Sequence, residues 1–412
     1  MAKIFYKDTI EGLEVTYDKL ISDLSTETTY NPFCKNNSYY LVFKKILFSL
    51  LIGREVILLD SDYSDEEISK LLGRDACKMF DKEEVKPILE TQFSDLIQRI
   101  LSNKNSWKIT LFTSGTTGLP KKVSHTFDSI SRFVKQDEKR FNNIWGFAYN
   151  PTHMAGLQVF FQAFLNQNSI IRLFGVDKMT ALELIDQYQI TNISATPTFY
   201  RLLLPADHIC ESVRVMTSGG EKFDSNTLNS LQQMFPNSRI RNVYASTEAG
   251  SLFSAKGSLF TLKSEMSHLV KVVDHELYLH RSLMGESSSF QMIDDWYATG
   301  DLIDVQSEDP FTFKFISRKN EMINTGGYKV NPTDVEEAIR LCDGVRDVFV
   351  YGKKNSLLGN VICCEVVKSK DSLTEKQIRY FLKDKLQEFK IPRLVKFVES
   401  LTTTRTGKLS RV

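Results

Sequence analysis

Cysteine, proline and glycine are all sparse in this 412-residue chain, at six, ten and twenty residues. So little proline and glycine excludes collagen-like and linker-like chains, and an apolar fraction of 42% excludes disorder as a global description. The cysteines, at 34, 77, 210, 342, 363 and 364, form no Cys-x-x-Cys pair, so zinc and thioredoxin-type readings are weak and reduced thiols are expected. No charge of one sign dominates. With 52 basic and 51 acidic residues the net charge is +1, and the chain carries no field that would draw nucleic acid. Long apolar runs are missing too. Ile46 to Ile52 is far short of the ~20 residues that span a bilayer, and Lys3, Lys7 and Asp8 interrupt the apolar stretch a secretory leader needs. These absences predict a soluble, cytoplasmic protein without a membrane span.

What is present is α/β material. At ~100–200 residues per domain, two or three domains are expected. Leu41 to Ile52 reads as a helix and Arg54 to Asp60 as a buried strand. Ser64 opens a helix whose first turn holds Asp65, Glu66 and Glu67, where the helix dipole favours acids. Strand and helix alternate again through Ser169 to Leu173, Thr180 to Gln189 and Thr191 to Ala195, which argues for helices packed on a largely parallel sheet. A boundary falls near Arg318 to Asn320. Beyond it come a helix at Asp334 to Leu341, strands at Val345 to Tyr351 and Val361 to Val367, and a helix at Leu373 to Glu388. The expected fold is therefore α/β: a large multi-layer body with mixed and parallel sheets over 1–319, and a small α+β lobe over 320–412. The lobe holds 17 basic groups against 12 acidic, which suits a polyanionic partner.

The most informative segment runs from Leu111 to Val123. An apolar strand leads into Thr113, Ser114, Gly115, Thr116, Thr117 and Gly118, then Leu119, Pro120 and Lys121. Glycines let backbone N–H groups converge on an anion, hydroxyls add donors, and lysine supplies a point charge. The segment is not the GxxxxGK[ST] loop, because Pro120 stands where its second glycine would be. A plain polar hairpin loop leaves its four hydroxyls, two glycines and Pro-Lys step unexplained.

This segment resembles the phosphate-binding loop of the adenylate-forming superfamily, which comprises acyl- and aryl-CoA ligases, peptide-synthetase adenylation domains and luciferases. Further segments resemble that superfamily's signatures, in order: Ser218 to Glu221, Asn242 to Glu248, Tyr297 to Asp301, Ser317 to Ile323 running on to Val330, and Thr404 to Lys408. The chain is short for the superfamily, which implies a pared N-terminal region and a trimmed third subdomain. Lys122, Ala245 and Ser317 stand where glycine is usual, but no charged catalytic group is replaced.

The resemblance implies ATP-dependent activation of a carboxylic acid to an acyl-adenylate, followed by thioester formation with CoA. It also implies roles for individual residues. Thr113 to Gly118 and Lys121 would hold the pyrophosphate. Gly219, Gly220, Glu221, Asn242 and Tyr244 would surround the adenine, Asp301 would take the ribose hydroxyls, and Arg318 would reach the ribose or phosphate. Thr247 would donate to the α-phosphate, and Glu248 would bind Mg²⁺, a hard cation suited to carboxylate oxygens. Lys408 would bridge carboxylate and α-phosphate as charge builds. Asn320 would be the hinge of a rotating lobe. Gly327, Tyr328 and Lys390 would line the path of the thiol arm.

His153, Met154 and Gly156 resemble the acid-pocket segment. No acid occurs in 151–157, and a buried ammonium without a counter-charge would cost several kcal/mol, so an α-amino acid is disfavoured. Phe127, Phe160, Phe161 and Phe164 could line an apolar pocket or fill the core. An aryl or medium-chain fatty acid is expected. Three alternatives stay open: transfer to the phosphopantetheine of an acyl carrier protein, a non-catalytic nucleotide-binding relative, and an unrelated phosphotransferase.

Overall fold

The computed structural model describes residues 2–73, 81–113, 120–205, 207–219, 225–355 and 358–402. The chain divides into two compact units. The first comprises Met1–Glu221, Ser225–Gly257 and His280–Met292, and the second is built mainly of Ser258–Leu279 and Ile293–Val412.

The first unit is centred on a parallel sheet. Its strands lie in the order Ile4–Asp8, Ser169–Arg172, Ile144–Phe147, Asn192–Ala195, Val215–Gly219 and Arg239–Ser246, each parallel to the next. Antiparallel neighbours flank this parallel run: Leu13–Thr16 beside the first strand, and Gly250–Lys256 beside the last. The expected alternation of strand and helix thus becomes the parallel sheet it implied. A smaller sheet holds Phe33–Lys35, Val56–Leu59, Lys108–Thr113 and Lys121–Thr126. Val56–Leu59 is buried at every position, which is why it reads as a continuous apolar run rather than an alternating one.

Local chemistry sets the helix starts. Ser64 accepts from the Glu67 amide while the Glu67 side chain accepts from the Ser64 amide, a complete capping box for Asp65–Leu72. The four phenylalanines left between pocket and core are core. Phe127 is 4% exposed and Phe160, Phe161 and Phe164 are fully buried. Phe160 stacks on Phe43 at 4.5 Å, and Phe161 meets Phe127 and Trp107 edge-on.

In the second unit, one sheet contains Val270–Val273, Glu276–His280, Trp296–Glu308, Phe311–Arg318 and Leu259–Thr261. Another contains Tyr328–Val330, Ile323–Thr325, Gly359–Lys368 and Val345–Asn355, with Leu394–Val398 parallel to Gly359–Lys368. Helices Pro332–Arg340 and Glu375–Lys383 supply Val335, Ile339, Ile378 and Leu382 to its core. The second helix is shorter than the expected span from Leu373 to Glu388. Thr374 caps it through the Gln377 amide, and after Asp384 the chain leaves the helix before a 3₁₀ turn at Glu388–Lys390.

The five described cysteines are free and buried. Burial pushes the Cys34, Cys210 and Cys364 thiols up to about 12, so they stay protonated and inert. Among the described residues, no helix is long and apolar enough to cross a membrane.

Candidate active site

The predicted phosphate loop connects two antiparallel strands, Lys108–Thr113 and Lys121–Thr126. Thr113 and Lys121 are directly opposite each other at the end of this hairpin, so the loop is closed at its base by the two residues that open and end the motif. Ser114, Gly115, Thr116, Thr117 and Gly118 lie outside the described residues. Lys122, in the place of a usual glycine, is an exposed strand residue facing Phe112 across the pair.

Thr247 and Glu248 occupy the turn between Arg239–Ser246 and Gly250–Lys256. Three consecutive carbonyls of this turn accept hydrogen bonds. His125 Nε2 lies 2.7 Å from the Thr247 oxygen, and the Gly285 amide lies 2.7 Å from that of Glu248. Arg132 Nη1 lies 3.5 Å from the oxygen of Ala249, and its Nη2 lies 3.2 Å from that of Leu283. Ser124 and Glu286 exchange both main-chain hydrogen bonds, at 2.9 and 2.8 Å. The strand that follows the phosphate loop is thereby tied to the segment that holds the turn. The Glu248 side chain is half-buried, and among the described residues no ion pair or hydrogen bond takes up its carboxylate. A partly desolvated, unpaired carboxylate on a fixed turn is a fitting ligand for a hard cation.

The ring of Tyr244 stacks on Phe253 at 5.5 Å, and Asn242 shares its strand. Gly219 ends the neighbouring strand, where a Cβ would lie 3.0 Å from the Val243 oxygen. Gly220 and Glu221 lie outside the described residues. Ala245 sits at a register shift between Arg239–Ser246 and Gly250–Lys256, a strand position that needs no glycine.

In the second unit, Asp301 and Arg318 are direct partners across antiparallel strands, with Arg318 Nε 2.9 Å from Asp301 Oδ1. Asp301 is 1% exposed. The preceding residues hold it in place. Gly300 has φ +75°, a left-handed conformation that favours glycine, and its amide donates to Glu276 Oε1 at 2.9 Å. The Thr299 hydroxyl donates to the Leu277 carbonyl and accepts from the Asp301 amide. Lys319 pairs with the other Glu276 oxygen at 3.1 Å.

Asn320 is exposed in the turn after Phe311–Arg318 and has no positive φ. Gly326 and Gly327, at φ +56° and +86°, form a two-residue hairpin turn of the kind that needs both residues left-handed. Tyr328 stacks on Phe389 at 4.3 Å, and the Lys390 ammonium lies 5.8 Å from the same ring. Gly327, Tyr328 and Lys390 are therefore brought together from distant parts of the sequence. Lys408 lies outside the described residues.

On the acid side, His153 stands at the N-cap position of Met154–Phe164 without a side-chain capping bond, and its Nε2 lies 3.5 Å from Asp60 Oδ1. Asp60 is buried and also accepts from the Thr152 hydroxyl. An acid does stand beside this segment, delivered by the end of a strand ninety residues earlier and already engaged. Met154 is buried. Gly156 serves close packing, since a Cβ there would lie 2.3 Å from the Asn150 oxygen. A cavity of about 630 Å³ is lined by Asn150, Pro151 and Thr152 with Ser38, Tyr39 and Arg172, and its lining includes none of His153, Met154 and Gly156.

Sequence reasoning missed His125, Asp60, Glu276 and Phe389. His125 carried a signal, because Val123 and His125 alternate with exposed Lys122 and Thr126, which marks an inward-facing strand position. One further cluster, Asp186, His208 and Cys210, has ligand atom types within 4.8 Å of one another. His208 Nε2 and Asp186 Oδ2 are 2.6 Å apart, a hydrogen-bond distance, whereas two ligands ~2.0–2.2 Å from one tetrahedral ion sit roughly 3.3 Å apart.

A mixed α/β chain built as a larger and a smaller unit is the class this geometry defines. The chain belongs to the AMP-binding enzyme family, within the adenylate-forming superfamily. Residues 51–274 match that family, and residues 334–408 match the AMP-binding enzyme C-terminal domain. A 2-succinylbenzoate–CoA ligase of Listeria monocytogenes is 26% identical over 325 residues, covering 73% of this chain and 68% of that protein. A 4-coumarate–CoA ligase of Narcissus pseudonarcissus is 25% identical over 345 residues, covering 73% and 62%. In fold, the chain is similar to the o-succinylbenzoate CoA synthetase of Bacillus subtilis in complex with its acyl-adenylate intermediate. The TM-score is 0.72 at 19% identity, covering 100% of this chain and 94% of that one. ATP-bound MatB of Rhodopseudomonas palustris gives 0.72 at 17% identity, covering 99% and 94%.

Proposed function

We propose that this enzyme activates an apolar carboxylic acid, aryl or medium-chain fatty, as an AMP-forming acid–thiol ligase with CoA as acceptor. A carboxylate oxygen attacks the α-phosphorus of ATP, the bond to the β-phosphate oxygen breaks, and pyrophosphate leaves. The CoA thiol then attacks the acyl carbonyl, AMP leaves as the anion, and the thiol proton passes to solvent. Two of the relatives are named as 2-succinylbenzoate–CoA and 4-coumarate–CoA ligases, which supports an aryl acid and CoA as acceptor.

The carrying observation is the Glu248 carboxylate, unpaired among the described residues, on a turn tied to the strand that follows the phosphate loop. Bound there, Mg²⁺ would offset phosphate charge and orient the nucleotide. The chain's own residues do the rest. Thr113 to Gly118 and Lys121 grip the leaving pyrophosphate, and Thr247 donates to the α-phosphate. Asp301 and Arg318 take the ribose, with Gly219 to Glu221, Asn242 and Tyr244 around the adenine. Lys408 approaches the reacting carboxylate, which supplies charge only as the bond forms. His153 and Met154 bound the acid. In the second step the lobe over 320–412 rotates about Asn320, and Tyr328, Phe389 and Lys390 guide the thiol arm.

Trapping with hydroxylamine across a panel of acids tests the first step, and AMP release on adding CoA tests the second. Hydroxamate is expected with aryl or medium-chain acids and not with α-amino acids. Absence of product with every acid overturns the reading. A phosphopantetheinylated carrier protein presents the same thiol, and faster transfer to it than to CoA would reassign the acceptor.

A further inference from the structure

Hairpin turns usually leave their carbonyls to water. The turn at 247–249 does not. Its three carbonyls accept in sequence from His125, the Gly285 amide and Arg132, all donors from outside the hairpin. The carboxylate of Glu248, on the same turn, has no partner among the described residues. All three carbonyls are engaged, and the carboxylate is left open to a cation.

His125 is the donor to the first of these carbonyls. A carbonyl only accepts, so Nε2 carries the hydrogen in its 2.7 Å contact with Thr247. Nδ1 then accepts from the Ser129 hydroxyl at 3.0 Å. Both ring nitrogens are used, and the ring is 1% exposed. Burial first, and the Arg132 charge after it, hold its pKa below the usual histidine value against the opposing pull of Thr247 and Glu248, which keeps the ring neutral. The opposite segment is shaped around the ring, since a Cβ at Gly285 would lie 2.6 Å from its Cε1 and 2.8 Å from its Nε2. The same Gly285 donates to the Glu248 carbonyl.

We infer that His125 is a positioning residue for the metal-binding turn, fixing through the Thr247 carbonyl the direction in which Glu248 meets the magnesium of the nucleotide. The inference rests on the reading of Glu248 proposed above. Groups that orient metal ligands typically change metal affinity or activity by ~10–100-fold when removed.

The test compares His125→Leu, which fills the space without a donor, and His125→Gln, whose amide nitrogen reaches the position of Nε2. Ser129→Ala, at a half-buried site, loosens only the ring's orientation. ATP–pyrophosphate exchange is followed against Mg²⁺ concentration, with CoA-dependent turnover of preformed acyl-adenylate and thermal melting alongside. His125→Leu should raise the half-saturating Mg²⁺ about tenfold and lower exchange about tenfold, with thiol transfer unchanged. His125→Gln should recover to within about threefold of wild type, and Ser129→Ala should raise half-saturating Mg²⁺ about threefold. A folded His125→Leu variant with wild-type Mg²⁺ dependence, or equal losses in the Leu and Gln variants, overturns the positioning role alone. If neither His125 variant folds, Ser129→Ala decides, and unchanged Mg²⁺ dependence there overturns it. Wild-type protein that shows neither exchange nor magnesium–ATP binding removes the reading of Glu248, and the positioning role with it.

Discussion

Glu248 carries the heaviest demand of any single side chain here. It is half-buried and, among the described residues, without a paired cation, so its charge is available for a metal. Glu248→Gln keeps the shape and removes the charge. It should lower adenylation at least ~100-fold, a loss of about 3 kcal/mol of transition-state stabilisation, while the melting temperature stays within a few degrees. Pyrophosphate-exchange kinetics with parallel melting check both halves. Lys45 makes a prediction of another kind. Burial lowers its ammonium to about 8, against opposing contributions from Cys34 and Glu27, and the group lies 4.1 Å from the Tyr30 ring centre. Unfolded chain keeps that proton until about pH 10.4. Between pH 8 and 10 the unfolded state therefore binds more protons than the folded one, so this residue's contribution to stability rises with pH. After allowance for solvent screening the rise is on the order of 1 kcal/mol. Lys45→Met should remove it, as read from melting curves of both proteins at pH 8 and pH 10.

Elements are held by features that only their neighbours explain. The helix Met154–Phe164 packs so closely on the segment before it that Gly156 faces the Asn150 oxygen where a Cβ would be 2.3 Å away. Gly156→Ala must push the helix outward, at a cost of ~1–3 kcal/mol in denaturant unfolding, and it displaces His153 at the helix start. An unchanged midpoint would show that the helix yields freely. The hairpin at Gly326 and Gly327 differs in cause. Among the described residues nothing lies within 4 Å of a Cβ at Gly327, so glycine serves there for its backbone angle rather than for space.

For the whole molecule, the proposed reaction needs two separate chemistries from one chain, and Lys408 is assigned to the first. Lys408→Ala should depress adenylation by ~100-fold or more and leave thiol transfer from preformed acyl-adenylate within a few-fold of wild type. Measuring the half-reactions separately checks this, and equal losses in both would contradict a lobe that presents different faces in turn.

The chemistry was legible in the sequence because it depends on residue types at fixed short spacings. A run of hydroxyls and glycines ending at Lys121, the Thr247-Glu248 pair and the Thr-Gly-Asp at 299–301 stay readable whatever surrounds them. The fold class followed from strand and helix periodicity for a similar reason, since burial on both faces leaves continuous apolar runs such as Val56–Leu59. Tertiary structure alone decided what lies beside what. Asp60 reaches His153, Glu276 grips Gly300, Phe389 stacks on Tyr328, and His125 binds Thr247, all across long separations in the chain. It also sent the phenylalanines of 160–164 to the core, because an apolar helix face looks the same in sequence whether it meets a ligand or a neighbouring ring. Short-range patterns record which groups are available, and only the packed chain determines which of them are already spoken for.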